Sequence, residues 1–306
     1  MFRIILNRTA ISIPVLLIVI TVTFFFIRLA PGGPFDTEKA VPPEIKKNLN
    51  EYYNLNKPVF YQYLDYLKNL VHGDFGPSFR HSNRTVTEMI LTGLPVTFEL
   101  GLYALLIAIF FGIFAGLLAA LKPNSLQDYI PMSFAMVGIC MPSFLLGPLL
   151  VLIFGIWFEW LPVSGWNALP GDKILPAFTL GSVYAAYIAR LTRGGMLEIM
   201  FQDFIRTARA KGLSEVMVVI RHALKGGLLP VVSFLGPGIA WILSGSFVVE
   251  TIFQIPGLGR FYVKAAFDRD YTMILGTTIF LSALIIFFNL LSDILTKWLD
   301  PRLRDS

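Results

Sequence analysis

Charged residues are scarce in this chain of 306 residues. Only 15% of the residues are charged, against roughly 25% in soluble proteins, while 55% are hydrophobic and 14% are aromatic. A soluble core of this size cannot bury so much apolar side chain, whereas a bilayer accepts roughly 20 apolar residues per helical span. The composition therefore excludes an ordinary soluble protein and predicts a polytopic, all-α membrane protein.

Several chemical functions lack the residues that they require. No Gly-Lys dipeptide occurs, so the chain cannot form the GxxxxGK[ST] phosphate loop that binds ATP in many ATPases. His72, His81 and His222 are the only histidines, and they lie too far apart in sequence for a typical metal site. Cys140 is the only cysteine, and we expect it to pack as a small apolar residue. We therefore predict no catalytic residue, no metal site and no cofactor in this chain.

Long apolar runs predict six transmembrane helices. They cover residues 9–29, 94–121, 129–158, 174–191, 228–253 and 274–298. These runs are continuous, without the alternation of a membrane barrel strand. The first run is longer than the core of a usual signal peptide and lacks a cleavage site, so we interpret it as a retained helix. We expect Pro142 and Pro148 to interrupt the third span, and Gly236-Pro237-Gly238 to interrupt the fifth.

Basic residues near the ends of the spans predict the orientation. Thirteen lysines and arginines lie in the short loops and termini on one side of the predicted spans, against four in the short loops on the other side. Because such residues resist translocation, both termini are predicted to be cytoplasmic. Residues 30–93 then form an extracytoplasmic loop, in which residues 44–53 and 60–71 are expected to be short amphipathic helices.

The predicted cytoplasmic loop of residues 194–226 is strongly basic. Residues 190–226 hold seven basic and three acidic side chains, a net charge of +4 within the +5 of the whole chain. Gly212 is predicted to form a turn between an Ala-rich helix and a second, amphipathic helix. The second helix is expected to bury one apolar face, which comprises Leu213, Val216, Val219, Ile220, Ala223 and Leu224.

Three interpretations of this helix-turn-helix segment remain open on its residues alone. It could lie on anionic membrane lipid through its basic side chains. It could contact nucleic acid, which we disfavour because no other basic and aromatic surface accompanies it. It could dock a cytoplasmic partner, because Ala208, Ala210 and Gly212 are expected to form a small-residue face that a cleft can receive closely.

Two carboxylates in the predicted spans are candidate functional residues, because a charge in a bilayer is costly. Glu99 lies one turn into the second span, and Glu250 lies near the end of the fifth. Each could line a translocation path or reach interfacial water, and we favour the interface for both.

A series of motifs resembles one transporter family. RTARAKGLSEVMVVIRHALKGGLLP is followed by VVETIF, IPGLG, RDY and DPRLR, and it is preceded by LAPGGPF, NLNKPVFYQYLDYLKNLVHGDFGPSFR and MPSF. In this order they resemble the permease subunits of bacterial peptide-type ABC importers, especially the B-type subunits of oligopeptide importers. The resemblance implies a type I importer permease fold in the bacterial inner membrane. The alternatives are a dipeptide or nickel permease or, in a different class, a self-sufficient channel or secondary carrier.

The same resemblance implies the partners and the docking residues. The partners are a second permease subunit, two cytoplasmic ATPase subunits that use ATP and magnesium, and an extracytoplasmic peptide-binding protein. The basic loop would be the segment that docks the ATPase, with Arg206 in place of the glutamate of the family's general signature. The docking residues so implied are Arg206, Thr207, Ala208, Arg209, Ala210, Lys211, Gly212 and Leu213.

Overall fold

A computed structural model describes residues 2–30, 33–35, 42–81 and 83–299. This part of the chain is mostly helical, with one isolated β-bridge between Pro77 and Thr85. The helices are α1 (Phe2–Leu29), α2 (Pro43–Tyr52), α3 (Val59–Val71), α4 (Val86–Leu121), α5 (Leu126–Cys140), α6 (Ser143–Leu150), α7 (Ile174–Met200), α8 (Asp203–Ala210), α9 (Glu215–Val218), α10 (Leu224–Gly227), α11 (Leu229–Ile252), α12 (Leu258–Asp268) and α13 (Tyr271–Leu299). Two π-helical stretches, Val151–Trp157 and Val219–Ala223, continue α6 and join α9 to α10.

Four of the described helices are long and apolar enough to cross a membrane. They are Ala10–Leu29 within α1, α4, α7 and Tyr271–Ile294 within α13. Two bent pairs also qualify when each pair is taken together, namely Leu126–Cys140 with Ser143–Trp157, and Glu215–Gly227 with Leu229–Leu243. Counting each pair as one span gives six, the number that the apolar runs predict.

The third predicted span is not one straight helix. α5 ends at Cys140, and the chain bends by 111° before it continues as α6 and the π-helical stretch. Pro142 stands at this break in an extended conformation, and its ring prevents the helix from continuing. The predicted interruption at Pro142 is therefore confirmed, whereas the one at Pro148 is wrong, because Pro148 lies inside α6.

The predicted interruption at Gly236-Pro237-Gly238 is wrong, because α11 continues through all three residues. A Cβ atom on Gly236 would lie 1.8 Å from the Cβ of Ser292 in α13, so the glycine allows very close helix contact. This packing favours a continuous helix despite the hydrogen bond that Pro237 cannot donate. The bend of 49° lies instead at Leu228, where α10 meets α11.

Several helices differ in extent from the apolar runs. α4 begins at Val86, eight residues before the predicted span, and α7 continues to Met200, past the predicted end at residue 191. α12 was not predicted at all. Hydropathy identifies only the apolar part of a helix, whereas backbone hydrogen bonding can extend the same helix through polar turns. Cys140 ends α5 and is exposed.

Contacts divide the chain into two compact units, which are residues 1–96 with 256–286, and residues 97–255 with 287–306. In the second unit α4 packs closely on α7 through a Gly-x-x-x-Gly pair. A Cβ atom on Gly112 would lie 2.7 Å from the carbonyl oxygen of Ala185, and one on Gly116 would lie 2.5 Å from that of Ala189. Small residues at this spacing let membrane helices approach each other.

In the first unit, Asp270 holds the loop before α4 against the start of α13. Asp270 caps α13 by accepting a hydrogen bond from the backbone N–H of Met273 at 3.2 Å. The same carboxylate accepts from the hydroxyl of Ser78 at 2.5 Å and from the N–H of Phe79 at 3.2 Å. Asp270 is only 1% exposed, so these donors depend on one buried carboxylate.

We expect Asp270→Ala to destabilise this unit by about 3 kcal/mol, because several buried donors lose a charged acceptor. Hydrogen exchange should quicken at Phe79 and Arg80. The matched control is Asp65→Ala, since Asp65 is half exposed and pairs with Lys57 at 2.8 Å at the surface. Such a surface pair contributes about 0–1 kcal/mol. Equal protection of the Phe79 and Arg80 amides from hydrogen exchange in the two variants would contradict the role given to Asp270.

Candidate functional site

The predicted helix-turn-helix is present, and we call residues 203–227 the basic segment. α8 ends at Ala210, and Lys211 caps it. Gly212 follows with φ of +79°, a left-handed conformation that glycine adopts without strain. Ser214 then caps α9 by accepting a hydrogen bond from the N–H of Met217 at 3.4 Å. The predicted turn at Gly212 is confirmed.

An ion pair closes the turn on its exposed side. The guanidinium of Arg209 donates from Nε to Oε1 of Glu215 at 2.8 Å and from a terminal nitrogen to Oε2 at 3.2 Å. This two-point contact fixes the angle between α8 and α9 more strictly than a single hydrogen bond can. Arg206 pairs loosely with Asp203 at 3.4 Å, and Thr207 donates to the backbone oxygen of Asp203 at 3.0 Å. Arg206, Arg209 and Lys211 all remain at the surface.

The buried face of the basic segment packs against the ends of two long helices. Ile205 and Ala208 of α8 lie in one apolar cluster with Val218, Val219 and Ala223. Ala120 of α4 and Met196 of α7 complete the buried part of this cluster, and Leu213 packs against its edge. The segment is therefore attached to both helices and can follow their movements.

The prediction of an exposed small-residue face for docking is wrong at one of its three positions. Ala208 is 4% exposed and lies in the apolar cluster, whereas Ala210 and Gly212 are exposed. In a helix of eight residues, Ile205 and Ala208 are three apart and share the side that faces α7. A partner cannot receive Ala208, and a bulky side chain there would disturb the chain's own core.

The apolar face predicted for the second helix is also partly wrong. Val218, Val219 and Ala223 are buried, but Val216 is 68% exposed and Ile220 is 64% exposed. The π-helical stretch from residue 219 to residue 223 shifts the register by adding one residue to a turn, so a regular helical pattern misplaces the buried side. The outward side of the second helix consequently carries the exposed apolar side chains of Val216, Met217 and Ile220. Phe204 of α8 and Phe201 just before it are exposed as well.

Two glycines let the end of the basic segment lie directly on α7. A Cβ atom on Gly195 would lie 2.3 Å from the backbone oxygen of Gly227. A Cβ atom on Gly227 would likewise lie 2.3 Å from the sulfur of Met196. A side chain at Gly195 would push α10 and α7 apart, whereas one at Gly227 would require the side chain of Met196 to move.

A buried ion pair lies at the same end of α7. Asp128, which is 2% exposed, accepts from Nε and a terminal nitrogen of Arg193, both at 2.6 Å. The backbone N–H of Asn124 donates to the same carboxylate at 3.0 Å. This contact ties the start of α5 to α7. The sequence patterns above do not single out this pair, although an acid at the start of an apolar run is a usable signal.

The two candidate carboxylates of the spans have different surroundings. Glu99 is partly exposed and forms an ion pair with Lys173, and Tyr103 donates to it at 3.3 Å. The hydrogen bond to Glu99 raises the pKa of Lys173. Glu250 is fully buried and accepts from the hydroxyl of Thr97 at 2.8 Å. In this conformation Glu250 therefore reaches neither interfacial water nor an open path, whereas Glu99 remains accessible.

Two family descriptions match nearly the whole chain. Residues 112–305 match the binding-protein-dependent transport system inner membrane component. Residues 1–101 match the N-terminal part of a binding-protein-dependent transport system membrane component. The basic segment lies within the first of these matches.

Curated relatives align along their full length or nearly so. The oligopeptide transport system permease protein OppB of Salmonella typhimurium is 48% identical over 306 residues, which are 99% of this chain and 100% of the relative. OppB of Haemophilus influenzae is 47% identical over 305 residues, with the same coverage. The dipeptide transport system permease protein DppB of Bacillus subtilis is 42% identical over 289 residues, 94% of each chain.

Solved structures share the fold at low sequence identity. An inward-facing structure of the MetNI methionine ABC transporter matches with a TM-score of 0.58 and 15% identity, over 69% of this chain and 96% of that chain. An amino acid ABC transporter matches with a TM-score of 0.52 and 19% identity, over 71% of this chain and 94% of that chain. At these identities the likeness shows the fold alone.

Proposed function

The chain belongs to the family of binding-protein-dependent transport system inner membrane components, and from this premise we propose that it imports oligopeptides and couples to its ATPase through the basic segment. It is a membrane permease component of an ABC importer. This membership decides against a self-sufficient channel or a secondary carrier.

The choice of oligopeptides is supported by the relatives. Two full-length relatives named as oligopeptide permeases are 48% and 47% identical, against 42% for the Bacillus dipeptide permease. We infer the same partners as before, namely a second permease subunit, ATPase subunits and an extracytoplasmic peptide-binding protein. ATP and magnesium would belong to the ATPase subunits, and both termini of this chain would be cytoplasmic.

The coupling role of the basic segment is supported by its geometry. One side is buried against α4 and α7, the turn is fixed by Arg209 and Glu215, and the other side exposes apolar residues at 216, 217 and 220. An exposed apolar helix face next to a fixed turn suits a groove in a protein partner, because its burial there would be favourable. Movement of a bound ATPase would then reach α7 through rigid contacts.

The function is tested by uptake into liposomes that contain the purified native complex with its binding protein and internal ATP. We expect a labelled pentapeptide to enter at a rate about tenfold above that of a dipeptide, equivalent to about 1.4 kcal/mol of discrimination. Liposomes without ATP are the control and should take up neither. Faster dipeptide uptake would favour the dipeptide permease instead, and uptake without ATP would contradict the ABC mechanism.

A further inference from the structure

A cavity of about 340 Å³ lies in the unit formed by residues 1–96 and 256–286. Its wall includes Arg28 at the end of α1, Tyr66 of α3 and Tyr271 at the start of α13. The volume is at the lower end of the range for small-molecule sites, roughly 300–1,000 Å³. No part of the coupling site described above borders this cavity.

Arg28 provides a positive charge that is already held in place. Its guanidinium carbon lies 3.5 Å from the ring centroid of Phe24, a stacking contact. It donates one hydrogen bond to the backbone oxygen of Phe24 at 3.1 Å and one to the side chain of Gln62 at 3.2 Å. A guanidinium has five N–H groups, so these two contacts leave donors for an anion. Such a fork suits a carboxylate, which can accept two parallel hydrogen bonds.

Tyr66 adds a second donor that has no partner among the described residues. The side chain is 9% exposed, and its hydroxyl is buried without a hydrogen bond there. Burial raises the pKa of Tyr66, so the phenol keeps its proton at neutral pH. A buried polar group without a partner is costly and rare. Because this hydroxyl exposes almost no surface, a ligand oxygen reaches it only when the ring turns toward the cavity, and the resulting hydrogen bond would remove that cost.

The remaining wall is aromatic, and its charge favours an anion. Phe79 lies between Tyr53, at 4.7 Å between ring centroids, and Tyr271, at 6.4 Å. Asp65 also borders the cavity, but it is paired with Lys57 at 2.8 Å. Arg28 and Lys68 therefore dominate the charge at the wall. The cavity combines a cation with flat apolar surfaces.

We propose that this cavity binds the C-terminal residue of a peptide whose last side chain is aromatic or large and apolar. The carboxylate meets Arg28 and the hydroxyl of Tyr66, and the side chain lies against Tyr53, Phe79 and Tyr271. Peptides with a free C terminus carry this carboxylate, so the contact does not require a particular inner sequence. The choice of a peptide rests on the proposed function, whereas the carboxylate and the aromatic body follow from the cavity.

The test uses the intact complex in nanodiscs, without ATP and without the binding protein, and measures binding by titration calorimetry. The probes are N-acetyl-phenylalanine and its uncharged amide. We expect the acid to bind about tenfold more tightly than the amide.

Tyr66→Phe should weaken binding of the acid severalfold without lowering the melting temperature, because it removes a hydroxyl that has no partner. Arg28→Gln should abolish the preference for the acid. Arg84→Gln is the matched control, since Arg84 lies half exposed in the loop before α4 and outside the cavity. This variant should bind both probes like the unmodified protein.

Several results would overturn the proposal. These are equal binding of acid and amide, unchanged binding in both Tyr66→Phe and Arg28→Gln, or no binding at millimolar probe. Displacement of the acid by dihexanoyl-phosphatidylglycerol would assign the cavity to a lipid headgroup and would also reject the proposal. Failure of these binding measurements leaves peptide uptake untouched, whereas loss of peptide specificity in the liposome assay leaves binding of the acid intact, so the two proposals fail separately.

Discussion

Aspartates at both Met217 and Ile220 should remove the ATPase subunits from the complex while this chain remains folded. Met217 is 45% exposed and Ile220 is 64% exposed, so two carboxylates there cost the isolated chain little. In a groove of a partner, the same carboxylates would be buried without partners of their own, which is strongly unfavourable. We expect the amount of ATPase that copurifies to fall by roughly tenfold or more, the equivalent of at least about 1.4 kcal/mol. Peptide uptake should fall with it.

Two controls separate docking of a protein from docking on lipid. Leu169→Asp introduces one negative charge at an exposed apolar residue before α7 and should leave ATPase association unchanged. Neutralising Arg206, Arg209 and Lys211 together tests the lipid interpretation, which predicts the larger effect for this variant and a dependence on anionic lipid. Normal copurification of the ATPase with the Met217 and Ile220 double variant would contradict a docking surface on this face.

Gly195→Ala should destabilise the chain and uncouple it, whereas Gly194→Ala should not. A Cβ atom at Gly195 would lie 2.3 Å from the backbone oxygen of Gly227, and a backbone atom cannot move aside as a flexible side chain can. α10 would have to separate from α7, at a cost of about 1–3 kcal/mol typical of overpacking. The basic segment would then be displaced from α7, so ATP hydrolysis should continue with little uptake.

Gly194 is the matched control because it is adjacent in the same helix. A Cβ atom at Gly194 meets nothing within 4 Å, so Gly194→Ala should be neutral or stabilising by at most about 1 kcal/mol through helix propensity. The measurements are the melting temperature of the detergent-solubilised complex and the ratio of peptide imported to ATP hydrolysed. Equal melting temperatures and equal ratios in the two variants would show that the close contact of α7 with α10 has no such role.

The sequence predicts features that depend on composition or on one local residue. Apolar runs indicate the helices that can span a membrane, because lipid imposes the same requirement on every span. Gly212 marks the turn of the basic segment, since a left-handed backbone there favours glycine. Pro142 marks the break between α5 and α6, because proline cannot continue the hydrogen bonding of a helix.

Features that depend on packing could not be predicted in this way. Gly194 and Gly195 are both glycines in the same helix, and the sequence does not distinguish them. Only the position of α10 makes Gly195 irreplaceable. Val216 and Ile220 were expected on the buried side but are exposed, because a π-helical stretch changes the register. Ala208 looks like part of an exposed small-residue face until α7 is placed beside it. We therefore propose the apolar outer side of the segment as the coupling surface, with a smaller contribution from the small residues than the motif indicates.

The central claim is that the outer side of the basic segment lies against the ATPase in the working transporter. Its most direct test is photocrosslinking from benzoylphenylalanine placed at residue 217 in the intact native complex in membranes, with residue 169 as the control position. Docking predicts an adduct of this chain with the ATPase subunit from residue 217 and none from residue 169. Adducts with lipid alone from residue 217, in a complex that retains its ATPase subunits, would contradict the claim.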